Sequence, residues 1–334
     1  MSAWKHISEI HKDGIKYMEH RRDGIIKSIK TPWPKFDEAG LDGLEWGTIV
    51  TLAGRPGSGK TSIVNQITRN AHVNNPGHDF AVLDFQFEMS SKSTAVREFS
   101  NLVGLDYKDL LSVHGKVTDY TLNTLKAHAA KSINTDIYQV DTPMTVLGIR
   151  KTVMDFYKFV GKPVLVTIDH SVLVKKDTSE KDKYEMLYNL GEMLTELKKL
   201  IPVTFIILTQ MNRSIEDPLR KVPGTIGNYP VTSDVFGADA LYQHSDMLIA
   251  INNPFTHNLL CYGPQEFMVE KHHIAMHFLK VRNGEPVMTF FDSNLQYYTI
   301  KQSKTIPMTK FQFNQARSAS SAPKKISTNP IFNP

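Results

Sequence analysis

Cysteine is nearly absent from this chain: 334 residues include one, Cys261. A single thiol closes no intrachain disulfide, which excludes a small secreted fold stapled by disulfides, and it excludes a zinc site built from cysteines. Long apolar runs are missing as well. Nothing approaches the ~20 consecutive apolar residues that span a bilayer. The opening stretch, MSAWKHISEIHKDGIKYMEHRRDG, carries charge throughout instead of the uninterrupted apolar core of a secretory leader. These absences lead to the expectation of a cytoplasmic protein with no membrane partner. Nor is there the bias of a disordered or fibrous chain: 41% of residues are apolar and 22% charged, and the length suits one large α/β domain or two ordinary ones.

Acidic residues are scarce at the two ends. From Lys301 to Pro334 there are six bases and no acid, and the first 35 residues hold eight bases and four acids. The net charge of +5 therefore belongs to the ends, and the body from Phe36 to Ile300 is mildly acidic. A basic total favours an anionic partner without locating the site that binds it.

Trp4, Ile7, Ile10, Ile15 and Met18 recur at broadly helical intervals, which predicts a helix over residues 2–21 that Gly24 ends. TPWPKF (Thr31 to Phe36) reads as an extended connector, because proline biases the residue before it away from the helical region. From Gly47 onward apolar runs alternate with helical patterns. Strands are expected at TIVTLAG, FAVLDFQF, IYQV, PVLVTID, VTFIILTQ and DMLIAI, with helices at Lys60–His72, Ser91–Val103, Asp119–Ile133, Val146–Val160 and Tyr184–Leu200. IAMHFLKV and PVMTFF, joined by RNGE, read as a late β-hairpin. The alternation predicts an α/β fold: a mostly parallel, twisted sheet with helices on both faces, closed by a C-terminal β-hairpin. Residues 1–30 are expected to be an N-terminal helix, 31–302 the α/β body and 303–334 a disordered basic tail.

The chemistry begins at GRPGSGKT, Gly54 to Thr61, which satisfies the phosphate-loop pattern between a strand and a helix. Gly54, Arg55, Pro56, Gly57, Ser58, Gly59, Lys60, Thr61 and Ser62 form the expected nucleotide-binding loop. Its backbone amides and the positive end of the following helix converge on phosphate oxygens. Lys60 is expected on the β and γ phosphates, and Thr61 on Mg²⁺. The bland alternative, a Gly-rich turn with an exposed lysine, fits the flanking strand and helix poorly. Asp169 closes the apolar run PVLVTID and is the candidate acid for the metal. Glu88, after the second strand, is the candidate to polarise an attacking water. Gln210, after VTFIILTQ, is the candidate to orient the γ phosphate. Asp84 competes with Glu88, but its apolar neighbours place it within the strand. Side chains at carboxyl ends of strands in such a sheet are expected to meet at one ligand.

LDGLEWGTIVTLAGRPGSGKTS, FEMS, VTIDH, LTQMNR, SDVFGADALYQHSDMLIAI and LKVRNGEP follow one another in an order that resembles the DnaB family of ring-shaped replicative DNA helicases. The stretch from about Arg22 to Tyr298 is similar to the RecA-like motor domain of that family. The resemblance implies ATP with Mg²⁺, and a catalytic glutamate at Glu88. It puts the metal aspartate at Asp169, followed by His170 where the family usually has tyrosine, and a sensor segment at Gln210 and Arg213. It further implies a DNA-loop segment through Ser233, Asp234, Gln243 and Asp246, and a late hairpin whose Lys280 and Arg282 reach a neighbouring subunit's nucleotide. The expected partners are single-stranded or forked DNA, further copies in a homo-hexamer, and primase, a helicase loader or other replisome proteins. The family's helical collar has no counterpart ahead of the motor, so the resemblance is to a minimal form, as a phage-encoded helicase would be, acting in the cytoplasm of a bacterial or phage-infected cell.

Two departures qualify the transfer. The arginine and glutamate usual in the DNA-loop segment correspond here to Phe236 and Gly237. Arg220, Lys221, Tyr229 and Phe236 become the candidate DNA contacts, by charge or by stacking. The first helix has two readings: docking of Trp4, Ile7 and Ile10 on a neighbouring subunit, or folding back on the chain's own core. A RecA- or RadA-like recombinase and a non-translocating ATP-binding scaffold or helicase-loading partner are the competing functions. Glu270, His272 and His273 form a cluster without a recognised ligand spacing, and no metal beyond Mg²⁺ is expected from it.

Overall fold

The computed structural model describes residues 4–40 and 42–321. Among the described residues eleven strands are formed: β1 (Ile49–Gly54), β2 (Ala81–Gln86), β3 (Ile137–Val140), β4 (Val164–Asp169), β5 (Val203–Gln210), β6 (Met247–Asn252), β7 (Cys261–Tyr262), β8 (Phe267–Met268), β9 (His273–Val281), β10 (Val287–Asn294) and β11 (Thr299–Gln302). Nine of them make one sheet in the order β11-β10-β9-β6-β1-β5-β4-β2-β3, and β7 pairs with β8 apart from it. From β6 to β3 all neighbours run parallel. β9, β10 and β11 then extend the β6 edge in antiparallel steps.

β1, β2, β4 and β6 are buried at every position, as strands covered on both faces must be. Alternate residues feed two cores. Val50 and Leu52 pack with Ile63, Ile67 and Phe36 on one side. Ile49 joins Val166, Phe205, Leu190 and Leu194 on the other. The predicted helices appear as Lys60–Arg69, Ser91–Val103, Asp119–Lys131, Val146–Val160 and Lys183–Leu200. They supply crossovers between parallel strands, which a short turn cannot make. The expected α/β fold with its hairpin is the one formed. Among the described residues no helix is long and apolar enough to cross a membrane.

Three local expectations change. TPWPKF is not an extended connector throughout: Trp33 is extended, but a helix starts at Pro34 and runs to Ala39. Proline at the first helical position loses no hydrogen bond, because that N–H has no intrahelical partner. Trp33 and Phe36 are thereby driven into the core, each about 1% exposed. Beyond residue 302, the expected disordered tail forms a helix, Lys310–Ser321. Thr309 bridges to Phe267, and the Lys310 N–H donates to the Glu266 carbonyl at 2.9 Å. The rest of the predicted tail, 322–334, lies outside the described residues. At the other end, the helix Ile7–Arg22 buries none of its residues, so folding back on its own core is excluded. Tyr17 donates to Glu45 and Arg21 to Ser28 at its base.

Candidate functional site

β1 delivers the phosphate loop at the carboxyl rim of the sheet, between β5 and β6. The loop is feasible only with glycine at its tightest points. A Cβ at Gly54 would lie 2.4 Å from Ser58 Oγ and 2.8 Å from the Ile251 carbonyl oxygen. Gly59 adopts φ +95° and caps the helix Lys60–Arg69, a conformation that costs other residues energy. Lys60 is buried, and its Nζ donates to the carbonyls of Gly54 and Arg55 at 2.7 and 3.1 Å. Burial pulls its pKa down to about 8, against the opposing pull of Asp169 and Glu88. The Arg55 side chain turns out of the loop, to Glu216 at 2.6 Å and the Met211 carbonyl at 3.2 Å.

The strand ends meet as expected. Thr61 donates its hydroxyl to Asp169 Oδ2 at 2.9 Å. Asp169 Oδ1 is buried with no hydrogen-bond partner. Burial raises the Asp169 pKa to about 7, with Glu88 and Asp84 pushing the same way. A buried carboxylate oxygen left unpaired beside a threonine hydroxyl is the donor chemistry of a hard divalent cation, so Thr61 and Asp169 fit Mg²⁺. Ser58 Oγ is likewise buried without a partner, beside the phosphate loop. Asp84 is fully buried in β2, held by Arg69, Thr167 and Gln86. It is a strand-interior acid, and Glu88 is the exposed one at the cleft.

A cleft of about 310 Å³ gathers Pro56 to Ser62 with Glu88, His170 and Gln210. It also takes in Arg97, Leu295 and Tyr298, which no sequence pattern singles out. Arg97 lies over the Tyr298 ring, 5.0 Å from its centroid. His170 sits 2.9 Å from Gln210, Nε2 to Nε2, and links the end of β4 to the end of β5. A larger groove of about 840 Å³ between the helices Val146–Val160 and Lys183–Leu200 contains none of the predicted site residues.

Lys280 and Arg282 are elsewhere. β9 runs antiparallel to β6, so Lys280 pairs with Leu248 at the start of β6, whereas the phosphate loop follows the Gly54–Ile251 register at its far end. The basic pair thus occupies the amino rim of the sheet, opposite its own chain's loop. Lys280 Nζ donates to the Tyr242 carbonyl at 2.5 Å and lies over that ring. Arg282 is half-exposed and pairs with Asp246 at 2.8 Å. Asp246 also accepts from the Ile49 N–H and from Lys198.

The candidate DNA residues are largely turned inward. Arg220 binds both Asp234 oxygens and the carbonyls of Gly227 and Tyr229, so its donors hold the 213–235 loop together. Tyr229 packs on Tyr262 and His277. Phe236 is partly buried against the core and packs on Tyr184, with ring centroids 5.3 Å apart. Arg220, Tyr229 and Phe236 are each partly exposed, with their polar or aromatic groups engaged within the fold. Lys221 is partly exposed next to the exposed run Val222–Ile226. The Phe236 N–H donates to the Gln210 carbonyl at 2.9 Å, tying this loop to the sensor strand.

A parallel sheet with a phosphate loop, a buried acid on the strand next but one and an antiparallel extension defines a RecA-like nucleotide-binding domain. The model of the DnaB-like helicase C-terminal domain matches residues 28–299, and the chain belongs to that family. The replicative DNA helicase DnaB of Leifsonia xyli is 24% identical over 241 residues, 72% of this chain and 50% of the relative. The DnaB of Geobacillus stearothermophilus is 26% identical over 251 residues, 74% of this chain and 52% of the relative. The chain thus spans about half the length of these relatives. The solved ATPase domain of G40P superposes with a TM-score of 0.74 at 18% identity, covering 90% of this chain and all of that one. A DnaB-like replicative helicase solved in a study of its interactions with primase gives 0.71 at 17% identity, covering 84% of this chain and 64% of that one. At such identities the superpositions establish the fold.

Proposed function

We propose that this chain is the motor of an ATP-driven replicative DNA helicase that forms a ring of six, moves along single-stranded DNA and parts duplex at a fork. The observation that carries this reading is the separation of the phosphate loop and the Lys280–Arg282 pair onto opposite rims of one sheet. A cation pair on a rigid hairpin stabilises a transferring phosphoryl group only from within contact distance. The pair is out of reach of its own loop, so it serves a neighbour's. Gly57, Gly59 and Lys60 hold the ATP phosphates, and Thr61 and Asp169 hold Mg²⁺, which neutralises charge on the β and γ oxygens when bound. Glu88 takes the proton of the attacking water. Gln210, steadied by His170, orients that water or the γ phosphate and passes its state to the 211–237 loop through the Phe236 N–H. Lys221 and the exposed backbone after it supply the DNA contact. The helix Ile7–Arg22 packs on the next subunit through its exposed Ile7, Ile10, Ile15 and Met18. Primase or a helicase loader are the replisome partners, in the cytoplasm of a bacterial or phage-infected cell.

Strand displacement on forked DNA with ATP and Mg²⁺, with single-stranded extensions of either polarity, tests the reading. Unwinding that Lys60→Ala abolishes is the expected result. ATP hydrolysis indifferent to single-stranded DNA, with no unwinding, would point instead to a scaffold or loading partner. Filaments on DNA with strand exchange would point to a recombinase.

A further inference from the structure

Away from the nucleotide cleft, the turn that leads into β9 brings four metal-binding side chains together. Glu270, His272 and His273 each offer a donor atom, all within 4.8 Å of one another. Asp292, opposite His273 in the antiparallel β9–β10 register, supplies a fourth. His272 Nε2 lies 3.5 Å from Glu270 Oε2 and 3.9 Å from Asp292 Oδ1, and His273 Nε2 lies 3.7 Å from the same Asp292 oxygen. These distances exceed the 2.7–3.2 Å typical of N–H···O hydrogen bonds. Four donors at about 2.1 Å from a tetrahedral ion stand roughly 3.4 Å apart. These three separations lie near the edge length of a coordination tetrahedron, and rotations of the half-exposed Glu270, His272 and Asp292 side chains bring the four donors onto one ion.

The frame around them is rigid. The His273 N–H donates to the Glu270 carbonyl at 3.1 Å, and Ser293 gives both its N–H and its hydroxyl to the His272 carbonyl, at 2.6 and 2.9 Å. Ser303 donates to Asp292 Oδ1 at 2.7 Å and orients it, the arrangement by which outer hydrogen bonds aim metal ligands. His273 is 9% exposed, which holds its ring in place beside Asp292. None of the four residues lines the phosphate cleft.

We propose that Glu270, His272, His273 and Asp292 bind one Zn²⁺ that fastens the β9–β10 end of the hairpin. Imidazole with carboxylate is a borderline donor set, suited to Zn²⁺ and not to Mg²⁺. The ion ties the 270–273 turn to β10 and, through Ser303, to the strand beyond it. The site is structural and lies at the opposite end of β9 from Lys280 and Arg282.

The test is calorimetric titration of ZnCl₂ into the untagged full chain in excess Mg²⁺ and ATP, followed by thermal unfolding with and without zinc. One Zn²⁺ per chain, with a rise in Tm, is expected. His272→Ala and Asp292→Asn, both half-exposed positions, should each weaken binding about tenfold or more, while Cys261→Ser leaves it unchanged. Circular dichroism matching the parent chain in the absence of zinc shows that these variants fold. No saturable binding, or binding equally strong in His272→Ala and Asp292→Asn, overturns the proposal. So does zinc binding lost in Cys261→Ser.

Discussion

His170 stands at the step between Asp169 and Gln210. Its Nδ1 accepts the Val172 N–H at 3.3 Å, and burial lowers its pKa, so the neutral ring carries its proton on Nε2. The Gln210 atom facing that N–H at 2.9 Å must then be the amide oxygen, the orientation that the hydrogen-bond pattern selects for a terminal amide. With its oxygen occupied, Gln210 is left with its NH₂ to direct toward the cleft. One hydrogen bond of this kind contributes about 1 kcal/mol. His170→Phe is expected to lower kcat about fivefold with little change in nucleotide affinity, and His170→Tyr, which keeps an O–H donor, to restore most of the rate. Steady-state ATPase assays paired with nucleotide titrations check this. An unchanged kcat in His170→Phe would remove the positioning role. Lys60, Thr61, Asp169, Glu88 and Gln210 were legible in the sequence because each follows a strand in a local pattern. The His170–Gln210 contact was not, since its partners are 40 residues apart and meet only through the order of β4 and β5.

Among the elements, the 211–237 loop separates what pattern can show from what it cannot. Strands and helices were readable because burial imposes a period on the sequence. A loop has none, and its basic residues look alike. Arg220 and Lys221 are adjacent, yet Arg220 closes the loop on Asp234, whose side chain is 3% exposed. Removing the partner of a buried carboxylate costs roughly 3 kcal/mol or more. Arg220→Ala should therefore unfold at markedly lower urea, whereas Lys221→Ala should melt with the parent chain and reduce the salt slope of DNA binding by about 1. Equal stability of the two variants would return Arg220 to the candidate DNA contacts. TPWPKF was misread for a related reason: the rule for the residue before proline held at Trp33, but proline's suitability for opening a helix decided what followed.

Across the molecule, stability is tied to pH through buried histidine. His277 is 5% exposed and receives the Tyr262 hydroxyl at 2.7 Å, which itself accepts from Asn252. Burial takes its pKa from 6.5 down to about 3. The unfolded chain binds this proton below 6.5 and the folded chain does not, so stability present above that pH is lost as the pH falls toward 3. The slope is about 1.4 kcal/mol per pH unit for one such group. Urea unfolding at pH 7.5, 6 and 5 should show the decline, and His277→Gln should flatten it. A parallel decline in the variant would trace the effect to other groups. At the same scale, subunits carrying Lys60→Ala mixed with subunits carrying Arg282→Ala should recover ATPase activity that neither has alone. No recovery on mixing would argue against shared sites.

If the proposed ATP sites are shared between subunits, the opposition of loop and basic pair across one sheet also makes output depend on assembly. A two-fold dimer in which the loop of one copy meets the Lys280–Arg282 pair of the other would have to satisfy both contacts at once, and opposite rims favour a head-to-tail succession instead. An open succession always has one end whose loop faces no neighbour, so it contains one working catalytic unit fewer than its number of chains. Closing it supplies the missing unit. Turnover per chain is then expected to climb with protein concentration as arcs lengthen and to level off when they shut. The protein would thus report its own ring closure as a rate.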